Sequence, residues 1–120
     1  MAAGDIYYLS IAFEQKDGAK MRYTVEIGQV QLGLILLESI TSQYAKKSDF
    51  IKAQYYPIKD WCDAGLKKPS YIDIGSRHLL KLQEMIQNSQ YTGQLSLQDL
   101  EDLALFIKSY KERLQKLKRK

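Results

Sequence analysis

Arg22 stands at the start of the segment Arg22-Tyr23-Thr24-Val25-Glu26-Ile27, and the next apolar run ends on Ser39, Thr41, Ser42 and Gln43. A strand that only fills a core can end on any turn residues. This one ends on three hydroxyls and an amide. The lysine pairs Lys46-Lys47 and Lys67-Lys68 sit in the two expected loops nearest that cluster, where ammonium groups reach phosphates. Nine tyrosines in 120 residues add side chains that pack a sheet or stack on unpaired bases. Plainer roles stand beside these. The lysines suit solvated loops, Arg22 suits an ion pair with Glu26 or Glu38, and Thr41 suits a β-branched strand position.

Other chemistries lack their residues. With one His and one Cys, zinc sites built on several His/Cys ligands are excluded. So is a ribonuclease that uses one histidine as acid and another as base. No glycine-rich phosphate cradle of either common type is present. A Ser-His-Asp hydrolase would have to use His78, with no nucleophile elbow in the sequence. His78 is expected as a packed or half-exposed sheet residue, with a catalytic role as the alternative. Cys62, beside Trp61 in a tight turn, is expected to be structural.

The elements that must carry these side chains are mostly strands. Residues 5–13 are rich in β-branched and aromatic types, bounded by Gly4 and the Lys16-Asp17-Gly18 turn signal. Residues 21–27 put Tyr23, Val25 and Ile27 on one face and Arg22, Thr24 and Glu26 on the other. Residues 34–41 begin nearly all apolar, as in a strand covered on both faces. A strand over 49–58 should end at Pro57 or lie at a sheet edge. Asp60 caps a single expected turn ending at Gly65, and 70–75 is a short strand. Residues 77–86 fit either a helix or a strand. Ser96 and Asp99 make a capping-box-like start. Leu100, Leu103, Ala104, Ile107, Tyr110 and Leu114 then mark one face of an amphipathic helix of roughly 20 residues. The expected architecture is mainly β, within the α+β class: a five- or six-stranded compact sheet or small barrel over about 4–88 with a C-terminal amphipathic helix over about 96–117. All of 1–120 reads as a single domain.

The net charge of +4 is uneven. Residues 111–120 carry six Lys/Arg and one Glu, so the other 110 residues hold a net −1. The basicity therefore describes a tail, suited to a solvated end or to phosphate contact. Cys62, the only cysteine, allows no intrachain disulfide, and a cytoplasmic location is expected. No apolar run approaches the roughly 20 residues that span a bilayer, and the N-terminus lacks the pattern of a signal peptide.

Four segments, in order and at similar separations, resemble the MazF/PemK family of small toxin endoribonucleases, in particular a divergent branch from Gram-positive bacteria and their mobile elements. They are Gly4-Asp5-Ile6-Tyr7 entering the first strand, Asp17-Gly18-Ala19-Lys20-Met21 leading to Arg22, Ile40-Thr41-Ser42-Gln43 ending the third strand, and Gly65-Leu66-Lys67-Lys68-Pro69-Ser70-Tyr71-Ile72 entering a later one. The resemblance runs from about Gly4 to Leu79 and more loosely through the C-terminal helix. It implies an SH3-like barrel, typically a homodimer, that cuts single-stranded RNA without a metal or other cofactor and is held in check by a cognate antitoxin.

By that resemblance the catalytic pair is Arg22 and Thr41. The substrate-binding set is Ser42, Gln43, Lys46, Lys47, Lys67, Ser70 and Arg77. The chemistry fits the side chains. RNA is cut by its own 2′-hydroxyl attacking the adjacent phosphorus, and the protein must hold that geometry and neutralise the five-coordinate phosphorane. Arg22 can donate two parallel hydrogen bonds to phosphoryl oxygens, and Thr41 can donate one to phosphate or to the leaving oxygen. The sequence departs from the family at Tyr23, where the family has proline, and at Gly75-Ser76-Arg77-His78-Leu79. Two rival readings use the same barrel: a non-catalytic RNA- or protein-binding module, and an inhibitor of a host enzyme acting by protein contact.

Overall fold

A computed structural model describes residues 2–12, 19–31 and 33–118. The elements in chain order are β1 (Asp5–Ala12), β2 (Ala19–Gln31), β3 (Leu34–Thr41), α1 (Asp49–Lys52), β4 (Tyr55–Pro57), β5 (Tyr71–Lys81), α2 (Leu82–Asn88), β6 (Ser89–Gln94) and α3 (Leu97–Lys118). The turn signal at 16–18 and the last two tail residues, Arg119 and Lys120, lie outside the described residues.

The strands form one antiparallel sheet in the order β4-β5-β3-β2-β1-β6. The apolar run of β3 lies inside the sheet, and its residues face two separate cores. On one face Ile40 packs with Ile6, Val25, Ile72, Ile74 and Leu103 beneath α3. On the other, Ile35 and Leu37 pack with Tyr7, Leu9 and Met85 beneath α2. The expectation of a strand covered on both faces is met because a helix lies on each side. The chain is thus mainly β with a C-terminal helix. Among the described residues the sheet is not closed into a barrel, since β4 and β6 occupy opposite edges.

Four stretches differ from the sequence expectation, the first being β2, which runs on through Gly28 to Gln31 instead of ending at Ile27. Residues 49–58 do not form one strand. Ser48 caps α1, its Oγ accepting from the Ile51 N–H at 3.3 Å, and the strand is confined to Tyr55–Pro57. Pro57 does end that strand, at the sheet edge, where its missing N–H costs no ladder bond. The ambiguous run 77–86 is both things in turn. Its first half extends β5 against β3, and its second half forms α2, which turns Met85 onto the core. The sheet also takes a sixth strand, β6, from the polar segment Ser89–Gln94.

Helix α3 begins as its capping signal implies, with the Asp99 N–H donating to Ser96 Oγ at 3.1 Å. The Asp99 carboxylate does more than close the box. It accepts from Tyr56 Oη at 2.7 Å, the Lys59 N–H at 3.0 Å and the Asp60 N–H at 2.8 Å. This buried carboxylate joins the helix start to the 59–65 turn. Leu100, Leu103, Phe106, Ile107 and Tyr110 face the core, while Ala104 is exposed. Among the described residues no helix is long and apolar enough to cross a membrane.

Candidate functional site

The site lies in a fork between β2 and β3. Their ladder runs to Thr24↔Ser39 and stops there. Beyond that pair β2 stays with β1, with Arg22 opposite Leu9, while β3 stays with β5, with Thr41 opposite Tyr71. Arg22 and Thr41 each lie two residues past the last pair. The period-two alternation of strands therefore places both on the face that carries Thr24 and Ser39. The two strands diverge between them and leave a cleft of about 640 Å³.

Arg22 and Thr41 both line this cleft, with Ser42, Gln43, Lys47, Lys67 and Ser70 from the expected binding set. Lys46 lines an adjoining depression with Ser42, Gln43 and Lys47. Arg77 is placed elsewhere. Its Nε donates to the fully buried Glu38 carboxylate at 2.8 Å, and it is not among the cleft residues. Glu38, a partner for Arg22 in the plainer reading, is thus engaged by Arg77. Burial holds the Glu38 carboxyl above its ordinary range, with Arg77 opposing.

Local hydrogen bonds fix the polar side chains. Thr41 Oγ1 accepts from the Gln43 N–H at 3.1 Å, which shapes the strand end and leaves the hydroxyl proton to be donated. The buried Ser70 donates its hydroxyl to the Lys68 carbonyl at 2.8 Å and so shapes the loop that presents Lys67 and Lys68. Among the described residues four cationic side chains, Arg22, Lys47, Lys67 and Lys68, face the cleft against one carboxylate, Asp73. That balance favours an anionic ligand. Tyr8, Tyr23 and Tyr55 also line the cleft. Beside it the Tyr44 and Tyr71 rings stack at 4.4 Å, with Tyr55 at 6.2 Å from each.

Asp73, Ser76 and His78 belong to the site although the expected set omits them. They come from an irregularity in β5. Between Glu38↔Arg77 and Ser39↔Asp73 the register jumps, so Ile74, Gly75 and Ser76 bulge out of the ladder. The bulge turns Asp73 and Ser76 into the cleft. Asp73 Oδ1 accepts from the Gly75 N–H at 2.9 Å, a local turn that the Asp-x-Gly sequence could have signalled. Ser39 Oγ meets His78 Nε2 at 3.0 Å and Ser76 Oγ at 3.1 Å. Burial, reinforced by the Arg22 charge, holds the His78 imidazole below its ordinary pKa and therefore neutral near pH 7. Burial raises the Asp73 carboxyl, and its two hydrogen bonds partly offset that rise. Among the described residues no three His, Cys, Asp or Glu side chains gather as a metal-ligand group.

The arrangement can hold a phosphodiester between a guanidinium and a donating hydroxyl, with lysines along the strand and aromatic faces beside it. No protein-family model and no curated protein matches the chain.

Proposed function

We propose that the chain is an endoribonuclease of the MazF/PemK type that cuts single-stranded RNA without a metal ion. The observation that carries the reading is that Arg22 and Thr41, separated by 18 residues of sequence, line one cationic cleft. The bent, bulged sheet is read as an opened form of that family's SH3-like barrel.

RNA lies along the cleft with its scissile phosphate between Arg22 and Thr41. Arg22 neutralises the equatorial oxygens as the phosphorane forms. Thr41 donates its hydroxyl hydrogen to a phosphoryl oxygen, since its acceptor side is taken by the Gln43 N–H. Lys47, Lys67 and Lys68 contact flanking phosphates, which adds affinity and fixes register without reading sequence. Splayed bases stack on the tyrosines around the cleft. The protein acts as a toxin in the cytoplasm, as a homodimer, and an antitoxin with an acidic, partly disordered segment covers the cleft.

Incubation with single-stranded RNA in excess chelator tests this. Cleavage leaving a 2′,3′-cyclic phosphate and a 5′-hydroxyl supports it. Tight RNA binding without cutting would favour a non-catalytic binding module, and indifference to RNA would favour an inhibitor that acts by protein contact.

A further inference from the structure

Resting on the reading of the cleft as an RNA-cutting site, we infer that Asp73 accepts the proton of the attacking 2′-hydroxyl, and that α3 holds Asp73 in place through Tyr110 and Gln54. Among the described residues Asp73 is the one carboxylate that lines the cleft, on the same sheet face as Ser39 and Thr41. Two donors converge on its Oδ1, the Gly75 N–H at 2.9 Å and Gln54 Nε2 at 3.2 Å. Oδ2 takes no hydrogen bond among the described residues, which leaves it as the basic atom.

The second donor is itself anchored. Gln54 Oε1 accepts from Tyr110 Oη on α3 at 3.2 Å, and the Gln54 backbone carbonyl accepts from the Ile74 N–H at 3.0 Å. Tyr110 packs on the core beneath α3. A hydrogen-bonded chain therefore runs from the C-terminal helix, through Gln54, to the cleft carboxylate. The bulge is fitted to this chain. A Cβ at Gly75 would come within 2.5–2.8 Å of the Gln54 amide group. Only glycine at 75 lets that amide sit over Asp73 while its own N–H closes the turn.

In the first step the 2′-oxygen passes its proton to Asp73 Oδ2 and forms a bond to phosphorus. The phosphorane forms beside Arg22. The P–O5′ bond then breaks, its electron pair stays on O5′, and water supplies the proton that makes the 5′-hydroxyl. Asp73 gives its proton to solvent and is restored. Around the carboxylate stand Tyr55 from β4, His78 from β5, Lys47 from the loop after β3, and Glu38 from β3, while Arg22 lines the opposite side of the fork. A base held partly out of water accepts a proton more readily than an ordinary surface carboxylate. Gln54 and Tyr110 are positioning residues and touch no substrate.

The experiment uses the full chain on a mixed-sequence, end-labelled single-stranded RNA in chelator, with thermal melts of each variant. Asp73→Asn should cut at least about 100-fold more slowly while binding RNA within a few-fold of wild type. Tyr110→Phe and Gly75→Ala keep the Asp73 carboxylate in the chain but loosen the Gln54 amide that orients it. Each should move the acidic limb of the pH–rate profile upward, because the carboxylate loses a donor. In the RNA-free protein the Asp73 carboxyl resonance, followed by NMR against pH, should titrate higher in Tyr110→Phe. Wild type that cuts, with Asp73→Asn folded and cutting equally well, overturns the inference and leaves the proposed function standing. An unmoved pH limb and an unmoved Asp73 titration in Tyr110→Phe overturn the role of α3. Wild type that does not cut RNA overturns both.

Discussion

Ser39 Oγ on β3 lies 3.0 Å from His78 Nε2 on β5. Ser39 lines the cleft that Arg22, Thr41 and Asp73 share, and His78 follows the β5 bulge. The hydrogen bond ties the strand carrying Thr41 to the strand carrying Asp73, and it does so through a neutral imidazole. Stability should therefore follow pH. The folded His78 titrates below the ordinary imidazole value, so between the two values the unfolded chain binds a proton that the folded chain does not. The stabilisation is fully present above the ordinary pKa of about 6.5 and is lost as pH falls below it toward the folded value. Asp73, Glu38 and Glu26, whose carboxyls are raised, work in the opposite direction. The test is thus a difference. Urea unfolding of wild type and His78→Gln, from pH 7.5 to 5, should show a steeper loss of stability in the wild type.

Removing the Asp99 carboxylate should destabilise the fold strongly. It leaves the Tyr56 hydroxyl and the Lys59 and Asp60 N–H groups without their acceptor at the start of α3. Stranded buried donors cost roughly 1–3 kcal/mol each when unsatisfied. Asp99→Ala should lower unfolding stability by about 3 kcal/mol or more, seen as a reduced urea midpoint with little change in slope. Ser96→Ala, which removes the helix cap and one bond to Asp60, should cost about 1 kcal/mol.

Gly93 and Gly28 should respond in opposite ways to alanine. A Cβ at Gly93 would overlap the Ala64 carbonyl, and backbone cannot swing aside. Gly93→Ala should cost about 2 kcal/mol or more. A Cβ at Gly28 meets nothing within 4 Å, and its φ is not in the left-handed region. Gly28→Ala should be neutral, or stabilising by some tenths of a kcal/mol through the unfolded state. Thermal melts of the two variants separate these outcomes.

The cleft lysines should act on affinity alone. Lys67→Gln with Lys68→Gln should weaken RNA binding about equally for different sequences. It should lower the salt dependence, −d log K/d log[salt], by roughly 0.7 for each phosphate that is no longer neutralised. Fluorescence anisotropy with labelled RNA over a range of salt measures both. Lys59, paired with Asp102 at 2.8 Å on the exposed surface away from the cleft, is the control, and Lys59→Gln should leave binding unchanged.

The sheet was legible in the sequence wherever alternation met a clear boundary. Gly4 bounds β1 and the Ser96–Asp99 signal marks the start of α3, whereas β2 runs past its expected end at Ile27 to Gln31. What the sequence obscured has local causes. Ser48-Asp49 hides a cap inside a strand-like run. Residues 77–86 are split by the end of the β3–β5 ladder, which no periodicity in so short a run reveals. Phe106 takes the inward place that three-and-four spacing gave to Ala104. In the site, Arg22 and Thr41 were legible as residue types, and the fork that brings them to one cleft came only with the register. Asp73 was missed because its turn into the cleft depends on a three-residue bulge.

Cleavage of one single-stranded RNA by wild type and by Arg22→Ala, in chelator, measures the central claim most directly. Both proteins should first be shown equally folded by circular dichroism and melting. Wild type should leave 2′,3′-cyclic phosphate ends, and Arg22→Ala should be slower by about 100-fold or more. Cleavage by Arg22→Ala at the wild-type rate, or no cleavage by either protein, would contradict the account.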